Sequence, residues 1–297
     1  MFCFINSLLK LRSYILLEYH LHLFYISNLL IAFLNSLLFS IYSLDFVSIK
    51  LPKLHFKNYK LLYTKNMTTL TNDQIRQLNM YSTYTTPPAH PLFTLNQLKD
   101  IDFLGVVQAI TGIENKTVAA SYLMRRYGMF ASTQFLLLAT YDEIWMGELD
   151  DLMFGANVEY GNKGISMYID KNHYIDVECE VRATIIHKIL KQTHSLLVEI
   201  RKHSSVSPMT LWENVFGFLL WHYGVLLENP STAKQSRIDL EILKSNETWK
   251  GIASQSLFNT YLKGLEPAQL LNTPVRTTCC FSKDVPGLLK CGFCPLD

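Results

Sequence analysis

The chain of 297 residues predicts an α+β fold, a helical body with a small antiparallel sheet and a short C-terminal cysteine-rich metal-binding tail. Three observations carry this reading. Apolar residues recur at helical spacing over 180–202 and 208–226, β-rich runs separated by turn residues fill 132–178, and four of the six cysteines fall within the last nineteen residues. The divisions that follow are a hydrophobic leader over 1–66, a body over 67–272 and the tail over 273–297.

The leader is a mass of Phe, Leu, Ile, Tyr, Asn, Lys and Ser with no Gly, Gln or Trp. It reads as sequence upstream of a natural start at Met67. The alternative is a membrane anchor through residues 23–44, held by Lys50, Lys53, Lys57, Lys60 and Lys65 with the body on the inner face of the membrane. A cleaved signal is disfavoured, because no small-residue cleavage site follows the apolar stretch.

From Met67 the elements can be argued in turn. Thr71 to Ile75 offers capping residues for a short helix ending before Pro87-Pro88. Leu95, Leu98, Ile101 and Leu104 repeat at helical spacing over 95–111. A second helix over 115–127 carries Val118, Tyr122 and Arg125 and stops at Gly128. Arg125-Arg126 would then sit at a solvated helix end, a reading preferred to anion binding.

Strands are expected at Gln134 to Thr140, Phe154 to Tyr160, Gly164 to Ile169 and Tyr174 to Val177, with hairpin turns at 160–164 and 170–173. The acidic residues Glu148, Asp150 and Asp151 fit a solvated turn better than a cation site. A long helix over 180–202 places His187 and His194 on one side, where boundary roles outweigh metal ligation. Ser207 and Pro208 form a favourable start for the next helix, which is apolar nearly all round, so its Asn214 needs hydrogen-bond partners. Trp212 and Asn214 read as core braces. A further helix over 248–264 precedes Pro267, Thr273-Pro274 and the tail, read as a linker and a metal-held flap.

In the tail, Cys279-Cys280 precedes Cys291-Gly-Phe-Cys294 by ten residues. Thiolates are soft donors for zinc, copper(I) and iron-sulfur clusters. A zinc ribbon normally pairs two spaced Cys-x2-4-Cys halves, whereas one half here is an unspaced Cys-Cys, whose side chains diverge in extended backbone. A cluster with two irons offers two targets, so [2Fe-2S] is favoured over zinc, with disulfides third. Cys3 and Cys179 do not suggest an extracellular disulfide framework.

Taken together, Arg276-Thr-Thr-Cys279-Cys280, Pro286-Gly287 and Cys291-Gly292-x-Cys294-Pro295-Leu296 resemble the C-terminal signature of FhuF-like siderophore-iron reductases, and Leu211-Trp212-Glu213-Asn214 resembles that family's Leu-Trp-x-Asn segment. Lys283 and Asp284 depart from the aromatic and arginine residues often found there. The resemblance implies a [2Fe-2S] cluster on Cys279, Cys280, Cys291 and Cys294 and a body distantly similar to the C-terminal region of IucA/IucC siderophore synthetases. It also implies reduction of a ferric siderophore in the cytoplasm, with electrons from an unidentified donor such as a ferredoxin- or flavin-type reductase. Arg276 is the candidate residue near the cluster for tuning its potential or attracting an anionic chelate, against a bland role as a surface salt bridge. The alternatives are a zinc-stapled interaction domain and an iron-sulfur electron-transfer or redox-sensing protein.

Charge and motifs exclude other classes. Residues 1–66 hold seven Lys/Arg against Glu18 and Asp45, leaving 20 basic and 23 acidic residues in the rest. A mildly acidic body without a dense basic patch argues against nucleic acid. No Gly-x-Gly-x-x-Gly, Walker loop, Gly-x-Ser-x-Gly or His-Glu-x-x-His supports nucleotide, hydrolase or zincin chemistry.

Overall fold

Helix α1 (Asn72–Met80) starts with a full capping box, in which Thr71 Oγ1 accepts from Gln74 N and the Gln74 side chain accepts from Thr71 N. The computed structural model describes residues 67–159 and 161–296. The leader, and with it the anchor reading for 23–44, lies outside these. Among the described residues no helix is long and apolar enough to cross a membrane.

After α1 come two short strands, β1 (Thr83–Tyr84) and β2 (Pro91–Thr94), neither anticipated from sequence. The pattern over 95–111 divides into a 3-10 turn at Asn96–Lys99 and helix α2 (Phe103–Thr111), because Asp102 accepts from Gly105 N and starts the helix afresh. Gly112 ends α2 in the left-handed region at φ 72°.

Helix α3 (Lys116–Tyr141) corrects two expectations. It runs through Gly128, and it absorbs the run from Gln134 to Thr140 that reads as a strand. Gly128 instead marks a close crossing: a Cβ there would lie 2.9 Å from Asn214 O and 3.2 Å from Val215 Cα. The absence of a side chain lets the backbones of α3 and the later helix α5 approach.

Strands β3 (Glu143–Trp145), β4 (Met153–Glu159), β5 (Asn162–Tyr168) and β6 (Tyr174–Asp176) complete the β structure. The larger sheet has the order β1-β5-β4-β2 and is mixed, not purely antiparallel, since β1 runs parallel to β5. The β4–β5 hairpin forms as its turn chemistry predicts, with Glu159 opposite Asn162 and Gly161 at φ 81°. The segment 170–173 is not a hairpin turn. It forms a 3-10 turn at Lys171–His173 that sends β6 to pair with β3 in a separate two-stranded sheet.

The remaining helices are α4 (Arg182–His203), α5 (Pro208–Glu228), α6 (Ala233–Lys244), α7 (Leu257–Leu262) and α8 (Pro267–Leu270). The α5 start follows the sequence signal, with Ser207 Oγ accepting from Met209 N at 3.2 Å and Pro208 in the first turn. Leu211, Val215, Phe216, Leu219, Leu220 and Tyr223 are buried, each contributing about 1.5–3 kcal/mol of apolar burial. The range 248–264 is not one helix: a 3-10 turn at Asn246–Trp249 precedes α7.

Two polar networks lock these layers together. Glu159 accepts from Arg126, Ser82, Ser166 and Tyr84, tying the hairpin to α3 and β1. Burial opposes ionisation of Glu159, but the Arg126 charge and these donors outweigh it and hold the carboxyl below its usual range. In the second network the buried Arg182 bonds Asp239, Asp142 and Leu138 O, joining α4 and α6 to the end of α3.

Candidate metal centre

The site is organised from α5, whose buried Glu213 faces the chain just ahead of the cysteine pair. Glu213 Oε1 accepts from Thr277 N and Oγ1 at 2.8 and 2.7 Å, and Oε2 accepts from Thr278 N and Oγ1 at 3.0 and 2.5 Å. One carboxylate thus takes four hydrogen bonds from two consecutive residues. Charge-assisted bonds of this kind are the strong ones. A charged residue inside an otherwise apolar helix is the sequence signal for this clamp, one that the Leu-Trp-x-Asn pattern passes over.

Asn214 extends the brace. Its Nδ2 donates to Ser121 O and Ser121 Oγ, both at 2.9 Å, and its Oδ1 accepts from Arg276 Nη2 at 3.0 Å. Ser121 Oγ in turn donates to Cys280 O at 2.8 Å. The buried Asn214 therefore has the partners it requires. Trp212 packs among aromatic rings, 5.5 Å from Phe216 and 5.1 Å from Trp249, which makes it part of the core.

Arg276 is buried, not a surface ion pair. It donates to Thr278 O, Glu213 O, Thr210 O and Asn214 Oδ1 at 2.9–3.4 Å, and its Nε lies 3.7 Å from Glu213 Oε2. Arg125 differs from the sequence expectation too, being in the interior of α3 and not at a helix end. It donates to Ser282 Oγ, and its guanidinium lies 6.0 Å from the Phe218 ring centroid. Burial lowers its pKa, with the Cys280 and Cys291 sulfurs opposing that shift. Arg126 pairs with Glu159 at 2.6 Å.

The tail is packed into the body and is not a free flap: Val275, Cys280, Val285 and Cys294 are all buried. Phe281 adopts φ 59°, the left-handed region, so the backbone bends sharply straight after Cys280. A 3-10 turn at Ser282–Asp284 follows. Gly287 is a second forced turn, at φ 77°, where a Cβ would lie 2.5 Å from the Asn162 side chain.

None of the five described cysteines forms a disulfide. The Cys291 thiol donates to Cys280, and this bond, with help from Ser282, outweighs burial and pulls Cys280 below the usual thiol range. Cys291 is pushed up because it holds the shared proton. Cys279 Sγ accepts from Phe281 N at 3.3 Å, and Cys294 N donates to Cys291 O at 3.2 Å. Cys280 and Cys291 are thus brought together. Among the described residues no three His, Cys, Asp or Glu side chains converge as a single ion would need. In donor chemistry the tail offers four soft thiols free of disulfides, of a type that iron-sulfur centres use, with Cys280 and Cys291 lining one cavity and Cys279 receiving a backbone N–H, but the described residues do not gather all four around one centre.

The other sequence candidates stay apart from this site. Glu148, Asp150 and Asp151 belong to a capped 3-10 turn, with Asp150 accepting from Thr94 and Asn96. His187 bonds Thr248 O at 2.8 Å, and His194 stacks on Trp212.

A cavity of about 350 Å³ opens beside the thiol pair, lined by Cys280, Cys291, Arg125 and Arg276 together with aromatic side chains. Compared with protein-family models, curated proteins and solved structures, the chain matches none.

Proposed function

We propose that the protein is a one-electron oxidoreductase that reduces a ferric siderophore and releases Fe(II), with Cys279, Cys280, Cys291 and Cys294 holding a [2Fe-2S] cluster. The observation that carries this reading is a set of four disulfide-free thiols, two of them on the wall of a cavity that also holds a guanidinium. The cluster, when bound, would supply the single electron that converts chelated Fe(III) to Fe(II), and an external donor of ferredoxin or flavin type would replace it. Ferric iron is a hard cation gripped by anionic oxygens, and gaining an electron lowers its charge density and loosens that grip.

The protein's own residues do the positioning. Glu213 fixes Thr277 and Thr278, and Ser121 fixes the carbonyl of Cys280, so the first cysteine pair leaves the body at a set place. Phe281 N–H donates to the Cys279 sulfur, a position where a hydrogen bond raises a centre's potential. Arg125 contributes positive charge beside Cys280 and Cys291, favouring an anionic chelate.

The test is to mix anaerobically reduced protein with a ferric siderophore panel in the presence of a ferrous trap. Trapped Fe(II) should appear in step with protein reoxidation, one iron per electron. If reduced protein leaves untouched every ferric chelate of higher potential than its own, the reductase reading fails.

A further inference from the structure

The cavity beside Cys280 and Cys291 has two unlike walls. One is apolar and largely aromatic, formed by Met80 and Tyr81 at the end of α1, Phe218 and Trp221 on α5, and Phe293 in the tail. Two of these side chains are costly where they stand, since Trp221 is 48% exposed and Met80 69%. They form an open apolar rim around a recess. Within it, Gly217 leaves room against the Phe293 ring, whose nearest atom would be 3.4 Å from an added Cβ.

The other wall carries Arg125. Among the described residues the other partly or fully buried arginines each have a carboxylate close by: Arg126 has Glu159, Arg182 has Asp239 and Asp142, and Arg276 has Glu213 at 3.7 Å. Arg125 has none within ion-pair distance, and its one protein hydrogen bond goes to a neutral hydroxyl. Glu213 also lines the cavity, but both its oxygens are taken by Thr277 and Thr278. A guanidinium has five N–H donors in a planar fork, so Arg125 retains donors suited to paired anionic oxygens. A partly desolvated cation with no carboxylate partner, facing a recess with aromatic walls, is complementary to a flat anion.

We propose that this cavity seats the substrate through a planar aromatic ring bearing ionised oxygen, so that the preferred substrates are ferric chelates of the aryl-oxygen class, catecholates and salicylates. The proposal rests on the ferric-chelate reading given above. The ring packs against Trp221, Phe218 and Tyr81, and the oxygen meets Arg125. A volume of about 350 Å³ is at the small end of ligand sites, enough for one aryl arm with the rest of the chelate outside the rim. An aliphatic trihydroxamate chelate offers no ring for this wall, and its three singly charged groups cancel the Fe(III) charge, so it brings no net negative charge to the fork. Because the ring oxygens are themselves the iron ligands, seating them here brings the metal toward Cys280 and Cys291.

Gallium(III) complexes allow binding to be read apart from electron transfer, since gallium(III) is not reduced under these conditions. The full chain, titrated by calorimetry, should bind the gallium tris-catecholate of 2,3-dihydroxybenzoate at least about tenfold more tightly than a gallium aliphatic trihydroxamate. Among free probes, salicylate should exceed both neutral benzamide and non-aromatic, non-planar cyclohexanecarboxylate. Arg125→Gln should weaken the aryl complex about tenfold or more, and so should Trp221→Ala, a change at an exposed position that leaves the core untouched. Equal affinity for the aryl and aliphatic complexes, or undiminished affinity in folded Trp221→Ala protein, would overturn the assignment. Intact gallium binding without ferrous release from the iron complex would instead count against the reductase reading alone.

Discussion

Replacing Glu213 by Gln should detach the cysteine tail while leaving the helical body folded. Gln is nearly isosteric, and its amide oxygen can still serve Thr277 N and Oγ1, which now meet Glu213 Oε1 at 2.8 and 2.7 Å. Its NH2 group, however, would face Thr278 N, donor against donor, where Oε2 now accepts at 3.0 Å. An unsatisfied buried donor costs about 1–3 kcal/mol, and breaking a buried ion pair costs about 3–5 kcal/mol. Arg276 keeps four neutral acceptors and stands 3.7 Å from the carboxylate, so the ion-pair contribution falls near the low end. The expected loss is about 4–6 kcal/mol for docking of the tail. Native-state hydrogen exchange should show it as faster exchange at Thr277 and Thr278, with a smaller effect on the interior of α5. Arg276→Met should cost less in the Glu213→Gln background than alone, because both residues act in one network. Unchanged exchange at Thr277 and Thr278, with a stability change under about 0.5 kcal/mol, would refute the clamp.

Burial lowers the pKa of His222 from 6.5 to about 4, its Nε2 lies unpartnered, and its ring packs 4.7 Å from Tyr81. The unfolded chain takes the proton more readily, so this contribution is complete above the unfolded value and is lost as pH falls toward 4. Stability should drop by about 2 kcal/mol between pH 7 and pH 5 on this account, and His222→Phe should remove that part of the slope in denaturant melts. Gly128→Ala should destabilise by about 1–3 kcal/mol despite the better helix former, since its methyl would lie 2.9 Å from Asn214 O; a gain in melting temperature would show the helices can part cheaply. Cys179→Ser should leave metal content unchanged, because Cys179 is exposed and not part of the tail.

What the sequence revealed and what it hid follow from how local each signal is. The Thr71–Gln74 box and the Ser207-Pro208 start are decided by a few adjacent residues and appear in the fold, and the hairpin expected at 160–164 forms with a tighter turn, since Asn162 to Gly164 already belong to β5. The run from Gln134 to Thr140 misleads because α3 is buried nearly all round, from Val118 to Ala139, which erases the helical polarity period. Helix α6 goes unread for the opposite reason: its inward face includes Ser236 and Asp239, polar residues in place of apolar ones, with Asp239 meeting Arg182. The parallel β1–β5 pairing joins residues more than eighty apart and leaves no local trace. At the candidate site, the spacing made the cysteines conspicuous, but Arg125 becomes significant only once the tail docks on α3 and brings Ser282 to it.

Iron and acid-labile sulfide content of the full chain purified without oxygen tests the central claim most directly. About two irons and two sulfides per chain, lost when any of Cys279, Cys280, Cys291 or Cys294 becomes Ser, is the result expected. One zinc per chain with no sulfide, or a full iron and sulfide complement that survives all four substitutions, would contradict the assignment of these thiols to a [2Fe-2S] cluster.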